Sequence, residues 1–301
     1  MNRLLILPVL LLTLLVGTPA FSADYQKGAV AYKSGDYATA LREWTPLAKQ
    51  GDASAQTNLG KMYGNGTGVP QDYKTAVKWW TLAAEQGDAD AQNNLGYAYR
   101  NGQGVPQDYK IGMKWYRLAA EQGYAIAQFN LGNAYNKGKG VPQDYKTAVK
   151  WWKLAAEQGD ADAQSNLGVM YDNGQGVPQD DKTAVKWYRL AAEQGLADAQ
   201  TNLGVMYENG NGVPQDYKTA VQWYSLAAEQ GHAYAQNNLG WMYGDGTGVP
   251  QDYTTAMKWY RLSAKQGDAD AQFNLGVMYE KGQGVPQDYK TAVKWYLHPQ
   301  E

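Results

Sequence analysis

The stretch Gly159–Gln194, GDADAQSNLGVMYDNGQGVPQDDKTAVKWYRLAAEQ, recurs along the chain almost letter for letter. Its opening, Gly-x-Ala-x-Ala-Gln-x-Asn-Leu-Gly, falls at Gly51, Gly87, Gly123, Gly159, Gly195, Gly231 and Gly267, each start 36 residues after the last. A fixed period of this size marks a chain built from stacked copies of one supersecondary unit. Seven units therefore cover residues 51–301, the last one degraded near its end. Each unit packs mainly on its neighbours, so the length of 301 residues does not translate into a count of globular domains.

Within the quoted unit the spacing predicts a first helix over 161–172, with Asp160 as its N-cap. The link NGQGVPQ breaks that helix, because Gly174 and Gly176 tolerate positive φ and Pro178 cannot continue a helix. Asp180 caps a second helix over 181–194, and Gly195 ends it. On the first helix Ala163, Leu167, Met170 and Tyr171 gather on one side, with Gly168 beside them to admit another helix. On the second, Ala184, Val185, Trp187, Tyr188, Ala191 and Ala192 cover an arc wide enough for burial between two neighbours. Nothing alternates with the period of a strand.

The run A-x-A-Q-x-N-L-G-x-M-Y-x-x-G-x-G-V-P-Q-D-Y-x-x-A-x-x-W-Y-x-x-A-A-x-Q-G resembles the Sel-one-like repeat, a relative of the tetratricopeptide repeat. The resemblance covers residues 51–298 in seven copies. It implies an all-α fold, a right-handed superhelical α-solenoid of stacked antiparallel helix pairs, and the role of an adaptor or scaffold that binds partners without catalysis. Local departures are Ala98 and Ala134 in place of Met, Gly112 in place of Ala and Asp181 in place of Tyr. They are expected to loosen the third and fourth interfaces slightly. A cysteine-rich bacterial subgroup of the family cross-links its repeats. With no cysteine here, its properties do not carry over.

Residues 24–50 form a shorter relative of the unit: Tyr37, Ala40, Trp44 and Ala48 match Tyr73, Ala76, Trp80 and Ala84. AYKSGDYATALREW resembles a tetratricopeptide helix pair and reads as an N-terminal capping repeat. Residues 1–23 read as a signal peptide, with Arg3 as the basic n-region, Leu4–Val16 as an apolar run too short to span a membrane, and Ala20-Phe21-Ser22 as a cleavage pattern. The expected location is periplasmic or secreted, without stable membrane insertion after cleavage. At the other end YLHPQE replaces YRLAAEQ, and Pro299 is expected to stop the last helix and leave an apolar face for a partner or another copy.

The composition excludes some classes. A net charge of −2 gives no basic excess for nucleic acid. Hydrophobic residues at 44% argue against wholesale disorder, and zero cysteines exclude disulfides. The two histidines, His232 and His298, have neither a nucleophile nor metal-ligand spacing nearby, and acids such as Asp88, Asp90, Asp268 and Asp270 sit where helix capping explains them. The loops lack the Gly-Lys-Ser/Thr of a phosphate loop and the alternating acids of a calcium loop. No catalytic residue, metal or cofactor is expected.

Positions that differ among the seven units fall on one strip of the first helices, opposite the packed side. One track reads Lys61, Tyr97, Asn133, Val169, Val205, Trp241, Val277. Beside it run Thr57, Asn93, Phe129, Ser165, Thr201, Asn237, Phe273 and Ser54, Asp90, Ile126, Asp162, Asp198, Tyr234, Asp270. In tetratricopeptide-like stacks the first helices line the concave face, so the resemblance places this strip in the groove. Tyr97, Ile126, Phe129, Tyr234, Trp241 and Phe273 are the candidate contacts for a protein or peptide partner. A second strip, on the outer side of the second helices, is basic: Lys110, Lys114, Arg117, Lys146, Lys150, Lys153, Lys182, Lys186 and Arg189. It offers an alternative, the binding of an anionic envelope polymer such as a polysaccharide or peptidoglycan. A cell-wall hydrolase is the remaining, weaker alternative.

Overall fold

A computed structural model describes residues 23–297. The leader reading of residues 1–22, His298 and the helix-ending role of Pro299 lie outside the described residues. Sixteen helices and no strand occur among those described, and consecutive helices pack in pairs, an all-α solenoid. Contacts divide the chain into two compact units, one ending at Gln86 and one starting at Gly87.

The first unit holds α1 (Tyr25–Lys33), α2 (Tyr37–Lys49), α3 (Ala53–Asn65) and α4 (Tyr73–Glu85). Gly60 lies against the Trp80 ring, and Gly64, one turn later, reaches Ala76, one turn earlier, so α3 and α4 run antiparallel. In the capping pair Gly28 seats Trp44 in the same way, and the Trp44 indole N–H donates to the Tyr25 carbonyl at 3.2 Å. The capping motif and the repeat therefore use one packing device, a large ring laid on a glycine.

The second unit holds α5 (Ala89–Asn101), α6 (Tyr109–Glu121), α7 (Ala125–Lys137), α8 (Tyr145–Glu157), α9 (Ala161–Asn173), α10 (Asp181–Glu193), α11 (Ala197–Asn209), α12 (Tyr217–Glu229), α13 (Ala233–Asp245), α14 (Tyr253–Ala264), α15 (Ala269–Lys281) and α16 (Tyr289–Leu297). In the quoted repeat, Asp160 accepts from the Ala163 N–H at 2.8 Å and Gly174 closes α9 at φ 65°, a left-handed conformation without cost for glycine. Asp180 accepts from the Thr183 N–H and hydroxyl at 3.2 and 2.6 Å to open α10, while its own N–H donates to the Tyr171 carbonyl at 2.9 Å.

The core repeats with the sequence. One cluster joins Ala184, Val185, Tyr188, Ala191 and Ala192 of α10 with Ala199, Leu203 and Met206 of α11, and Trp223 of α12 packs on it. Each second helix is thus buried between its own first helix and the next repeat, which is why its apolar arc is broad. Burying Leu203 and Met206 contributes roughly 1.5–3 kcal/mol each before entropy is subtracted.

A row of glutamines ties the layers together. Gln164 of α9 donates to the Ala156 carbonyl at the end of α8 at 3.1 Å, and its oxygen accepts from Gln194 after α10 at 2.8 Å. The same bridge recurs at Gln128 and Gln158, at Gln200 and Gln230, and at Gln236 and Gln266. Gln128, Gln164, Gln200 and Gln236 are buried, so the bridge satisfies amides that water cannot reach.

At one departure from the consensus the structure corrects the expected effect. A Cβ on Gly112 would stand 2.9 Å from the Gly96 carbonyl oxygen. The missing side chain lets α6 come close to α5 rather than leaving a loose joint.

Candidate functional site

The odd-numbered helices of the second unit present the variable strip. Residues at i, i+4 and i+7 share one side of a helix, so Asp162, Asn166 and Val169 of α9 lie together, as do Asp198, Asn202 and Val205 of α11. Neighbouring odd helices touch along this side. The Asn130 amide donates to Asn93 Oδ1 at 3.2 Å, and Asn274 donates to Asn237 Oδ1 at 3.2 Å.

Five of the six candidate contacts are exposed on these helices: Tyr97 at 48%, Ile126 at 50%, Tyr234 at 49%, Trp241 at 42% and Phe273 at 59%. The sixth differs. Phe129 is half-buried and packs on the cluster formed by Ala148, Trp152, Ala163 and Leu167. It serves the joint between repeats more than the open surface. Phe273 is exposed on α15, the last odd helix described, with its ring 5.5 Å from that of Tyr296. An open concavity of about 660 Å³ lies beside it, lined by Val277, Glu280, Lys281 and Trp295 among others.

Except at Phe273, the track shared by Phe129 and Phe273 is therefore misplaced as a free face. Its members Thr57, Asn93, Ser165, Thr201 and Asn237 are all buried. Their variation reflects what fits inside each joint. Position along the helix placed them beside Tyr97 and Trp241, but within the second unit the adjoining odd helix reaches this track, as the Asn130–Asn93 bond shows.

All nine ridge residues are exposed on the even helices α6, α8 and α10. Not all of them are free. Arg117 donates to the Tyr135 hydroxyl at 2.7 Å and Arg189 to that of Tyr207, each tying an even helix to the next repeat. Lys153 stands 4.0 Å from Glu157, and Lys186 lies over the Trp187 ring at 5.9 Å. Lys110, Lys114 and Arg117 line a shallow hollow of about 260 Å³ floored by Met113, Leu118 and Val141.

His232 takes the N-cap place that Asp160 holds elsewhere. Its Nδ1 lies 3.3 Å from the Ala235 nitrogen and 3.1 Å from the Thr201 hydroxyl, and its Nε2 lies 2.9 Å from Asp198 Oδ1. The residue is a cap and a strut between α11 and α13. Among the described residues no three histidines, aspartates or glutamates gather as metal ligands would, and no helix is long and apolar enough to cross a membrane.

Sequence reasoning missed the partners of the large rings seated on glycine. Tyr188 donates to Asp172 at 3.3 Å, and Tyr224 donates to Glu208. Burial raises the pKa of both phenols, with the acid beside each adding to the effect. The residue 16 places before the ring is an acid for Tyr188, Tyr224 and Tyr296, but Arg100 for Tyr116 and Gly244 for Tyr260, so comparing copies gives only a partial signal for this pairing.

A family model for the Sel1 repeat matches residues 53–88, 89–124, 125–160, 161–196, 197–232, 233–268 and 269–297. Among solved structures the chain is similar to c5321, a protective antigen of uropathogenic Escherichia coli strains with an SLR fold, at 39% identity and a TM-score of 0.86. That likeness covers 92% of this chain and 62% of the antigen, so the chain spans less than two thirds of the relative's length. A Sel1 repeat protein from Oxalobacter formigenes is 37% identical with a TM-score of 0.72, over 82% of this chain and 97% of the other. No curated protein matches.

Proposed function

Because this chain belongs to the Sel1 repeat family, we propose that it is an exported, non-catalytic scaffold that holds a protein or peptide partner on the odd-helix face of its second unit. The observation that carries this reading is the exposure of Tyr97, Ile126, Tyr234 and Trp241 on helices whose other sides are fixed by the repeat cores. Large apolar side chains on a preformed surface bind with little ordering cost. The proposed location, periplasmic or secreted, rests on the leader pattern of residues 1–23. The description of the E. coli relative as a protective antigen accords with it.

The test is affinity capture from envelope extract with the wild-type chain and with Tyr234→Ala/Trp241→Ala. The expected result is a partner retained by the first and lost by the second, with equal helical circular dichroism. Capture that is indifferent to both substitutions defeats the reading.

The ridge on α6, α8 and α10 supports a second reading, an anionic envelope polymer as ligand. It predicts binding that collapses with salt, because exposed charges are screened within about 10 Å at 0.1 M. Arg117 and Arg189 are already engaged with tyrosines, which weakens this reading relative to the first.

A further inference from the structure

The odd-helix face carries three parallel tracks, and together they specify the partner more narrowly than "protein or peptide". This inference rests on the proposed use of that face. The first track is acidic: Asp90, Asp162, Asp198 and Asp270, interrupted by Ile126 and Tyr234. The carboxylates of Asp162 and Asp270 are exposed and have no hydrogen-bond or ion-pair partner among the described residues, while that of Asp198 lies 2.9 Å from His232 Nε2. Neither α9 nor α11 carries a lysine or arginine. The second track is a row of half-buried asparagines, Asn94, Asn130, Asn166, Asn202, Asn238 and Asn274. The amides of Asn166 and Asn202 have no partner among the described residues, so each offers two donors and an acceptor. The third track holds Tyr97, Val169, Val205 and Trp241.

Acids in the first turn of a helix also favour its dipole. That role does not require them here, because α3, α7 and α13 form with Ser54, Ile126 and Tyr234 at the same place. The unpaired asparagines choose the ligand's conformation. A helical ligand satisfies its own backbone and would leave Asn166 and Asn202 unpaired, whereas an extended segment presents main-chain N–H and C=O groups to them. Successive odd helices are near enough for direct Asn–Asn bonds, as between α5 and α7, and helices in contact lie about 8–10 Å apart. An extended or polyproline-type chain rises about 3.1–3.4 Å per residue. Three residues therefore advance the ligand by about one odd helix.

We propose that the second unit's odd-helix face binds an extended cationic peptide segment, with a lysine or arginine recurring about every third residue to meet the acidic track at Asp162, Asp198 and Asp270. The intervening apolar residues lie on the Val169, Val205 and Trp241 track, and the backbone pairs with Asn166 and Asn202.

The experiment uses the full chain and three labelled synthetic peptides in fluorescence anisotropy: four repeats of Lys-Ser-Val, four repeats of Glu-Ser-Val, and a peptide of the first composition with its lysines contiguous. The periodic lysine peptide should bind at least about ten-fold tighter than the glutamate peptide, and tighter than the clustered one. Asp162→Asn/Asp198→Asn should weaken it by about ten-fold and flatten its salt dependence. Asn166→Ala/Asn202→Ala should weaken all three peptides alike, with circular dichroism unchanged. Equal binding of the glutamate peptide, indifference to Asp162→Asn/Asp198→Asn, or no binding of any peptide overturns the proposal. If capture of a partner still depends on Trp241 in that event, the face remains a binding face and only the ligand class falls.

Discussion

At the scale of single residues, the joint between helices depends on glycines that carry no side chain where a ring must lie. A Cβ on Gly168 would stand 2.4 Å from a ring carbon of Tyr188, which is 2% exposed and has nowhere to move. Gly168→Ala is expected to cost about 1–3 kcal/mol through overpacking, read as a lower midpoint in urea. An unchanged midpoint would show that the ring can shift. The rings also engage acids of the first helices. Glu208 accepts the Tyr224 hydroxyl, which sits in a fully buried ring. Glu208→Ala should cost about 1–3 kcal/mol for the stranded hydroxyl, and Tyr224→Phe in that background should recover part of it.

At the scale of elements, repeats are tied by amide bridges and their helices are opened by side-chain caps, which only α7 and α11 of the second unit's first helices lack. Gln164 links α8, α9 and α10, so Gln164→Ala removes a partner of the Ala156 carbonyl and breaks the tie to Gln194. The expected loss is about 1–3 kcal/mol, with hydrogen exchange faster in those three helices than elsewhere. The caps of the second helices set an acid limit. Bonds from Thr75, Thr147, Thr183, Thr219, Thr255 and Thr291 hold the carboxyls of Asp72, Asp144, Asp180, Asp216, Asp252 and Asp288 below the usual 3.8, side-chain bonds first. A depressed carboxyl contributes stability that is present above its unfolded value and lost as pH falls through the folded one. Asp160 and Asp172, raised chiefly by burial, act with the opposite sign. The six caps outnumber the two, so the thermal midpoint should hold between pH 7 and pH 5 and fall below about pH 3.8. A fall already complete at pH 5 would contradict this account.

At the scale of the whole molecule, stability is a sum over repeats and their nearest-neighbour joints. Within the second unit the buried members of the clusters around Tyr188 and Tyr224 have the same composition. Removing residues 161–196 and joining 160 to 197 keeps the register and deletes one repeat with one joint. The shortened chain should keep the same helical signal per residue, with a denaturant slope reduced roughly in proportion to length. Loss of cooperative unfolding in the shortened chain would show that α9 and α10 hold contacts that their neighbours cannot replace.

The period, the two helices of each repeat, their caps and their packed sides were legible because they depend on local rules: a polar cap, a glycine stop, an apolar residue at each turn. Asp160, Gly174 and Asp180 act as their positions in the sequence indicate. The open face was legible only in part. Tyr97, Ile126, Tyr234 and Trp241 are exposed as expected, whereas the track of Thr57, Asn93 and Phe129 lies in or against a joint. Variation between copies marks a position as unconstrained by its own repeat, yet the adjoining helix of the next repeat also touches it. Which side of a helix that neighbour covers depends on how the helices cross and how closely they approach. Those distances arise from packing the whole stack, and no single 36-residue unit encodes them alone.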